Sequence, residues 1–141
     1  MKKITAKDLE SSSRITPKLF DYELGLHESV SDLAVPGIVV GTTGYTAPEA
    51  WMEQKCDLRR DIYALGVTLF ELLAGCRPFT SNYPAQIIQQ HLNAPVPDIT
   101  RYNPEVTKIL QRVIEKALAK NPDERYQSAG ELKQDYLEAA H

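Results

Sequence analysis

From residue 47 onward, apolar positions recur at helical spacing; before it they do not. Asp61 precedes an almost unbroken apolar run, Ile62 to Leu73. Leu65, Leu69, Leu72 and Leu73 mark one face of the predicted helix, while Ile62, Val67 and Phe70 cover much of the other. A helix apolar nearly all round belongs in the centre of a core. Gly66 costs about 1 kcal/mol against Ala inside a helix, which predicts close backbone packing there, and Gly75 suits a C-cap. Pro84 opens a shorter helix through Ile87, Ile88 and Leu92. Asn103-Pro104 reads as an N-cap followed by a first-turn proline. After it Val106, Ile109, Leu110, Val113, Ile114, Ala117 and Leu118 follow the i, i+3, i+4, i+7 pattern until Asn121-Pro122 stops it. Ser128-Ala129-Gly130-Glu131 has the form of a capping box, and opens a last helix carrying Leu132, Tyr136 and Leu137.

Upstream, residues 1–17 are polar, carry Ser11-Ser12-Ser13 and read as a loop or frayed terminus. Lys18-Leu19-Phe20 is strand-like and precedes Asp21. Gly25 to Gly44 shows no helical period, only a brief apolar Ile38-Val39-Val40. A structureless stretch of that length inside a compact domain is usually functional. No repeat recurs at a fixed period, and no heptad runs long enough for a coiled coil. The pattern predicts one mainly α domain.

Composition narrows the function more than the fold. The 141 residues suffice for one domain with a real core. A formal net charge of −3 without a basic stripe argues against nucleic-acid or anionic-membrane partners. The apolar run from Ile62 to Gly75 is too short to span a bilayer and contains Glu71, and no apolar segment follows Met1-Lys2-Lys3-Ile4 to make a signal peptide. Cys56 and Cys76 lack metal-ligand spacing and read as two thiols, so a cytoplasmic location is expected. His27, His91 and His141 are scattered and give a triad or metal site nothing to build on. Three carboxylates remain as candidates: Asp21, Glu49 and Asp61.

Gly41-Thr42-Thr43-Gly44-Tyr45-Thr46-Ala47-Pro48-Glu49 resembles the GTxxYxAPE end of a Ser/Thr protein-kinase activation segment. Asp61-Ile62-Tyr63-Ala64-Leu65-Gly66-Val67 is similar to the D-x-[WY]-x-x-G helix that follows it in that family. Arg77-Pro78-Phe79 fits the next loop. Lys116 to Tyr126, with Asn121-Pro122-Asp123-Glu124-Arg125, resembles the last kinase motif in its bacterial eukaryotic-like wording. Residues 37–141 therefore resemble the helical C-terminal lobe of the kinase fold. The lobe-like domain is expected over 18–141, with an activation segment at 21–49 and a helical part at 47–141.

The resemblance implies roles. Glu49 should pair with Arg125. Thr42, with Thr43, Gly44 and Tyr45, should form the substrate-side loop, and Thr42, Thr43, Ser29 and Ser31 are candidate phosphorylation positions. Asp61 would accept hydrogen bonds from an HRDxxxxN catalytic loop. This sequence has none, which leaves Asp61 to cap its helix or pair with Arg59 or Arg60. Asp21 falls at the metal-binding DFG position, but the motif here is Asp21-Tyr22-Glu23.

Phosphoryl transfer needs a Gly-rich loop, a phosphate-binding lysine, a catalytic Asp and Mg²⁺ ligands. The sequence shows no Gly-rich loop, VAIK-type lysine or catalytic loop, so no catalytic residue is assigned. No cofactor is expected, although intact family members use ATP and Mg²⁺. Whether the chain is itself an enzyme stays open. Two readings follow: a truncated Ser/Thr kinase-like domain inactive alone, or a pseudokinase-like interaction module or half of a split kinase. The module would dock through the helices at 84–92 and 105–119, with Ile87 and Leu92 in contact. Surface on the 61–75 helix that normally packs on the missing parts should be exposed, which predicts a homodimer or a protein partner.

Overall fold

The computed structural model describes residues 43–52, 54–55 and 57–141. Asp21, Thr42, Cys56, Ser29, Ser31 and the strand-like run at 18–20 lie outside the described residues. Among the described residues there is no strand. Among the described residues five helices run from end to end: α1 (Pro48–Trp51), α2 (Arg59–Ala74), α3 (Pro84–Asn93), α4 (Lys108–Ala117) and α5 (Ala129–Ala140), with 3₁₀ turns at Ile99–Arg101 and Pro122–Glu124. Proline stands at the start of α1 and of α3, where its missing N–H leaves no helical bond unmade.

α2 is the axis on which the rest is built. Tyr63, Val67, Phe70 and Leu73 are wholly buried. Leu65 and Leu69 only flank the core and Leu72 is half-buried, so apart from Leu73 the leucine face is the less buried one. The reason is Gly66. A Cβ there would lie 2.9 Å from Ala117 Cβ and 3.1 Å from Leu118 Cδ2, so its absence lets the end of α4 press directly onto the α2 backbone. Along this helix Ala64, Leu65, Thr68, Leu69 and Leu72 are half-buried rather than open, and only Gly75 at its end is exposed. The exposed large apolar side chains lie elsewhere, including Leu58, Tyr83 and Ile109. Gly75 closes α2 in the left-handed region at φ 79°, its N–H bonded to Glu71 O at 2.8 Å.

Two helix starts differ from the sequence expectation. α2 begins at Arg59, and Asp57 Oδ1 accepts the Arg59 N–H at 2.9 Å, so Asp61 sits inside the first turn rather than capping it. α4 begins at Lys108, where Thr107 Oγ1 accepts the Leu110 N–H at 3.1 Å. Asn103 does a different job. It is buried, its Nδ2 donating to Leu73 O at 3.0 Å and its Oδ1 accepting from Glu105 N at 3.1 Å. It thus satisfies a carbonyl that the end of α2 leaves orphaned. With α4 starting later, Leu110, Val113, Ile114 and Ala117 form the buried stripe, and Ile109, about 100° round from Leu110, is 64% exposed.

α4 packs on α2, α5 on α4, and α1 on α3. Gln111 of α4 pins the connecting segment before it, Oε1 accepting from Ile99 N at 2.9 Å and Nε2 donating to Pro97 O at 3.2 Å. α5 is capped by Ser128, whose Oγ accepts the Glu131 N–H at 3.2 Å; the Glu131 carboxylate closes on Gln127 N at 3.0 Å, one residue earlier than a standard capping box. Leu132 and Tyr136 turn inward, while Leu137 is exposed. Because α2 and α4 meet at Gly66 with no spare room, Gly66→Val should cost roughly 1–3 kcal/mol, read as a lower urea midpoint at unchanged m-value.

Candidate functional site

The chain enters α1 through a buried Ala47-Pro48-Glu49. Glu49 lies in the first turn, where backbone N–H groups favour a carboxylate. It meets Arg125, which follows the 3₁₀ turn before α5. Nη1 reaches Oε1 at 2.7 Å and Nη2 reaches Oε2 at 2.6 Å, a bidentate pair with side chains 2% and 0% exposed. Arg125 spends its other N–H groups on backbone carbonyls: Nε on Ala119 at 2.7 Å, Nη1 on Arg59 at 3.1 Å, Nη2 on Lys120 at 3.1 Å. The five guanidinium donors therefore all have acceptors. Its plane also sits 4.9 Å from the centre of the Tyr63 ring. One side chain thus ties α1, the start of α2 and the end of α4 together.

Ahead of this anchor in the chain lies the loop of Thr43, Gly44 and Tyr45, with Thr43 and Gly44 buried and Tyr45 partly so. Tyr45 Oη donates to Glu71 of α2 in a short hydrogen bond. Burial, and then this carboxylate, push the phenol up to about 12, so it remains a donor. Arg77 lies 5.9 Å from the Tyr45 ring centre, and Gly44 leaves the space its guanidinium occupies.

His91 of α3 closes the other side. It is fully buried, with Nδ1 2.7 Å from Tyr63 Oη and its ring edge-on to Phe79 at 4.9 Å between centres. Burial drives its pKa down to about 4, the Lys120 charge adds to this, and the nearby Gly44 backbone opposes it, so the ring is neutral near pH 7. Lys120 is itself held down at about 8 by burial and by Arg125. Its Nζ donates to Gln90 O at 3.2 Å and lies 4.4 Å from the Phe79 ring centre.

The structure thus brings Glu49 and Arg125 together and holds the loop of Thr43, Gly44 and Tyr45 against Glu71 and Arg77. Asp61 joins neither expected arrangement. It is half-buried and accepts no hydrogen bond from a described residue, while Arg59 turns to Asp57 at 2.8 Å and Asp123 at 2.7 Å. Ile87 is buried and so not free for the docking contact expected of it, Leu92 is half-buried, and Tyr83 and Gln86 are exposed on the same helix end. Sequence reasoning does not single out His91, Tyr63, Lys120 or Glu71 as site residues. His91 carries a signal all the same: it stands four positions after Ile87, on the same inward stripe of α3. Among the described residues no cluster of His, Cys, Asp or Glu could hold a metal ion, and no helix is long and apolar enough to cross a membrane.

Residues 9–137 match the protein kinase domain family. The chain belongs to the protein kinase family. The match starts inside the 1–17 stretch that reads from sequence as an N-terminal loop. The chain is 37% identical over 123 residues to the serine/threonine-protein kinase PknB of Mycolicibacterium smegmatis, covering 85% of this chain and 20% of that protein. It is 46% identical over 103 residues to the serine/threonine-protein kinase PknF of Mycobacterium tuberculosis, covering 73% of this chain and 21% of that one. It thus spans about a fifth of the length of these curated relatives. Among solved structures it is similar to the kinase domain of Mycobacterium tuberculosis PknI, with TM-score 0.55, 29% identity, and coverage of 69% of this chain and 34% of that chain. Its sequence is that of a partial Ser/Thr kinase-like domain, and the described helices are the C-terminal lobe of the kinase fold.

Because both charges of the pair are buried, Glu49→Gln or Arg125→Met should each lose about 3–5 kcal/mol in chemical unfolding. The double variant Glu49→Leu with Arg125→Met should lose less than the sum of the singles, since no stranded charge remains.

Proposed function

We propose that this chain supplies the substrate-side, structural half of a cytoplasmic Ser/Thr kinase system and transfers no phosphate by itself. The observation that carries the reading is the complete anchor, Glu49 on Arg125, with the preceding 43–45 loop held on α2 through Tyr45 and Glu71. It occurs in a sequence that offers no Gly-rich loop, phosphate lysine or catalytic loop. Phosphoryl transfer consists almost entirely of positioning and charge neutralisation by those parts. In this reading the chain is pseudokinase-like, takes no ATP or Mg²⁺, and works through a second copy or a complementing protein. The GTxxYxAPE-like segment is kept because it holds the surface on which a protein substrate or partner rests.

The interaction-module reading has one observation of its own. A shallow cavity of about 410 Å³ beside α3 is lined by Thr80, Ser81, Asn82, Tyr83 and Gln86, with Tyr83 65% exposed.

A thermal-shift titration with ATP and Mg²⁺ tests the main reading. A ligand at a hundred times its dissociation constant adds about 2.7 kcal/mol, a readily visible shift. The expected result is no shift. A saturable, Mg²⁺-dependent shift that is lost in Asp21→Asn would establish a nucleotide site and overturn the proposal.

A further inference from the structure

We propose that the outer face of α4 and α5 docks a second copy of this chain, with α4 of each copy lying on α5 of the other. The pairing rests on the proposed reading, in which the chain works through a second copy or a complementing protein, and fixes the second copy. α4 turns Ile109, Arg112 and Lys116 outward at i, i+3 and i+7, the spacing of one helix stripe, and all three are exposed. Ile109, at 64%, is open to water. α5 turns Glu131, Gln134 and Glu138 outward at the same spacing, and these too are exposed. One helix therefore shows an apolar and cationic row, and its neighbour a polar and acidic one.

These rows are not neutralised within the subunit. No salt bridge among the described residues involves α4 or α5. Lys116 lies 4.2 Å from the centre of the Tyr126 ring, which leaves its charge in place. Glu131 gives one carboxylate oxygen to Gln127 N, and Glu138 gives one to Gln134 Nε2 at 3.2 Å. Lys108 and Arg112 border a groove that also holds Asp98 and Glu115. Both of those carboxylates are engaged by neutral neighbours: Glu115 Oε1 accepts from Gln111 Nε2 at 2.7 Å, and Asp98 Oδ1 from Thr100 Oγ1 at 2.6 Å. Lys133 lies about 140° round α5 from Glu138, off the acidic row.

The two helices run side by side in opposite directions. Thr107 Oγ1, at the start of α4, donates to Ala139 O near the end of α5, and Lys116, near the end of α4, reaches Tyr126 just ahead of α5. Ile109 is therefore level with the end of α5, Arg112 with Gln134, and Lys116 with Glu131. Two copies placed face to face close about a two-fold axis lying in the contact plane. With that axis along the helices, each α4 covers the other copy's α5 at the same level. Lys116 of one copy then meets Glu131 of the other, twice over, and Ile109 is covered by the end of α5, where Leu137 is exposed. With the axis across the helices, α4 would meet α4 and α5 would meet α5, cation against cation. The charges select the first arrangement. Helices of 10 and 12 residues make rows of roughly 15 and 18 Å, small for a permanent dimer, so the association is reversible and weakened by salt.

The experiment is sedimentation velocity on the whole chain from about 1 to about 500 µM, at low and at high salt. The expected result is a monomer–dimer equilibrium that shifts to monomer as salt rises. Lys116→Glu and Glu131→Lys should each weaken it by about tenfold or more, because each change places two like-charged contacts in the symmetric dimer. Circular dichroism should show the helices kept. An equimolar mixture of these two variants should recover association, since one of its α4–α5 contacts is unaltered and the other has its charges exchanged. If Glu131→Lys disturbs the start of α5, Ile109→Glu replaces it; this change sets a carboxylate against the acidic end of α5 and should also disperse the dimer. A chain that stays monomeric throughout would overturn the proposal and leave the face to a partner of other chemistry. A dimer unaffected by Lys116→Glu or Ile109→Glu, or well-folded variants that fail to associate when mixed, would overturn it as well. None of these results bears on the absence of a nucleotide site, which the ATP titration decides separately.

Discussion

Burying a carboxylate and a guanidinium together is costly unless every donor and acceptor is used, and the arrangement around Arg125 meets that condition. Each ion loses several kcal/mol of hydration on burial, which only good geometry and additional hydrogen bonds offset. Here the offset comes from two bonds to Glu49 and three to the carbonyls of Arg59, Ala119 and Lys120. Those carbonyls lie at the start of α2 and just beyond α4, so the pair can form only when both helices are already in place. The 43–49 segment then has one position to occupy. This is a specificity device more than a source of stability, because an apolar pair of equal volume would hold the helices at least as well.

The second constraint is the helix-on-helix contact at Gly66. It sets how close α4 comes to α2, and so where the chain emerges after Ala117 to deliver Arg125. Core packing and the ion pair are therefore linked through geometry: loosening one displaces the other. The polar residues that surround the anchor, Tyr45 with Glu71 and Tyr63 with His91, extend the same logic outward. Each joins α2 to a neighbouring segment by a side chain with one suitable partner. A kinase lobe shaped this way is a platform for a loop. In the proposed reading it contributes surface and positioning, while the groups that handle phosphate belong to elements this sequence does not show.

Much of this architecture is legible in the amino-acid sequence. The buried stripes of α4 and α5 follow from periodicity, because burial on one face leaves a period in the chain. Gly66 and Gly75 stand out because a glycine inside or just after a strong helix pattern needs a steric or conformational reason. The pairing of Glu49 with Arg125, separated by 76 positions, leaves no local trace and is readable only through the family resemblance. What periodicity does not fix is where helices begin. Asp57 and Asp61, or Asn103 and Thr107, are chemically similar caps a few residues apart, and tertiary contacts choose between them. Asn103 is drawn off by the Leu73 carbonyl. His91 shows only its place on the inward stripe of α3, four positions after Ile87, and nothing in the sequence tells that its ring meets Tyr63.

The central claim is that the Arg125–Glu49 pair, rather than loop-local structure, fixes the 43–50 segment on the lobe. Amide hydrogen exchange under native conditions, comparing the unmodified chain with Arg125→Met, tests it most directly. The account predicts selective loss of protection in residues 43–50 and around 119–126, with α4 and α5 still protected. Unchanged protection in 43–50, or a uniform loss across all helices, would contradict it.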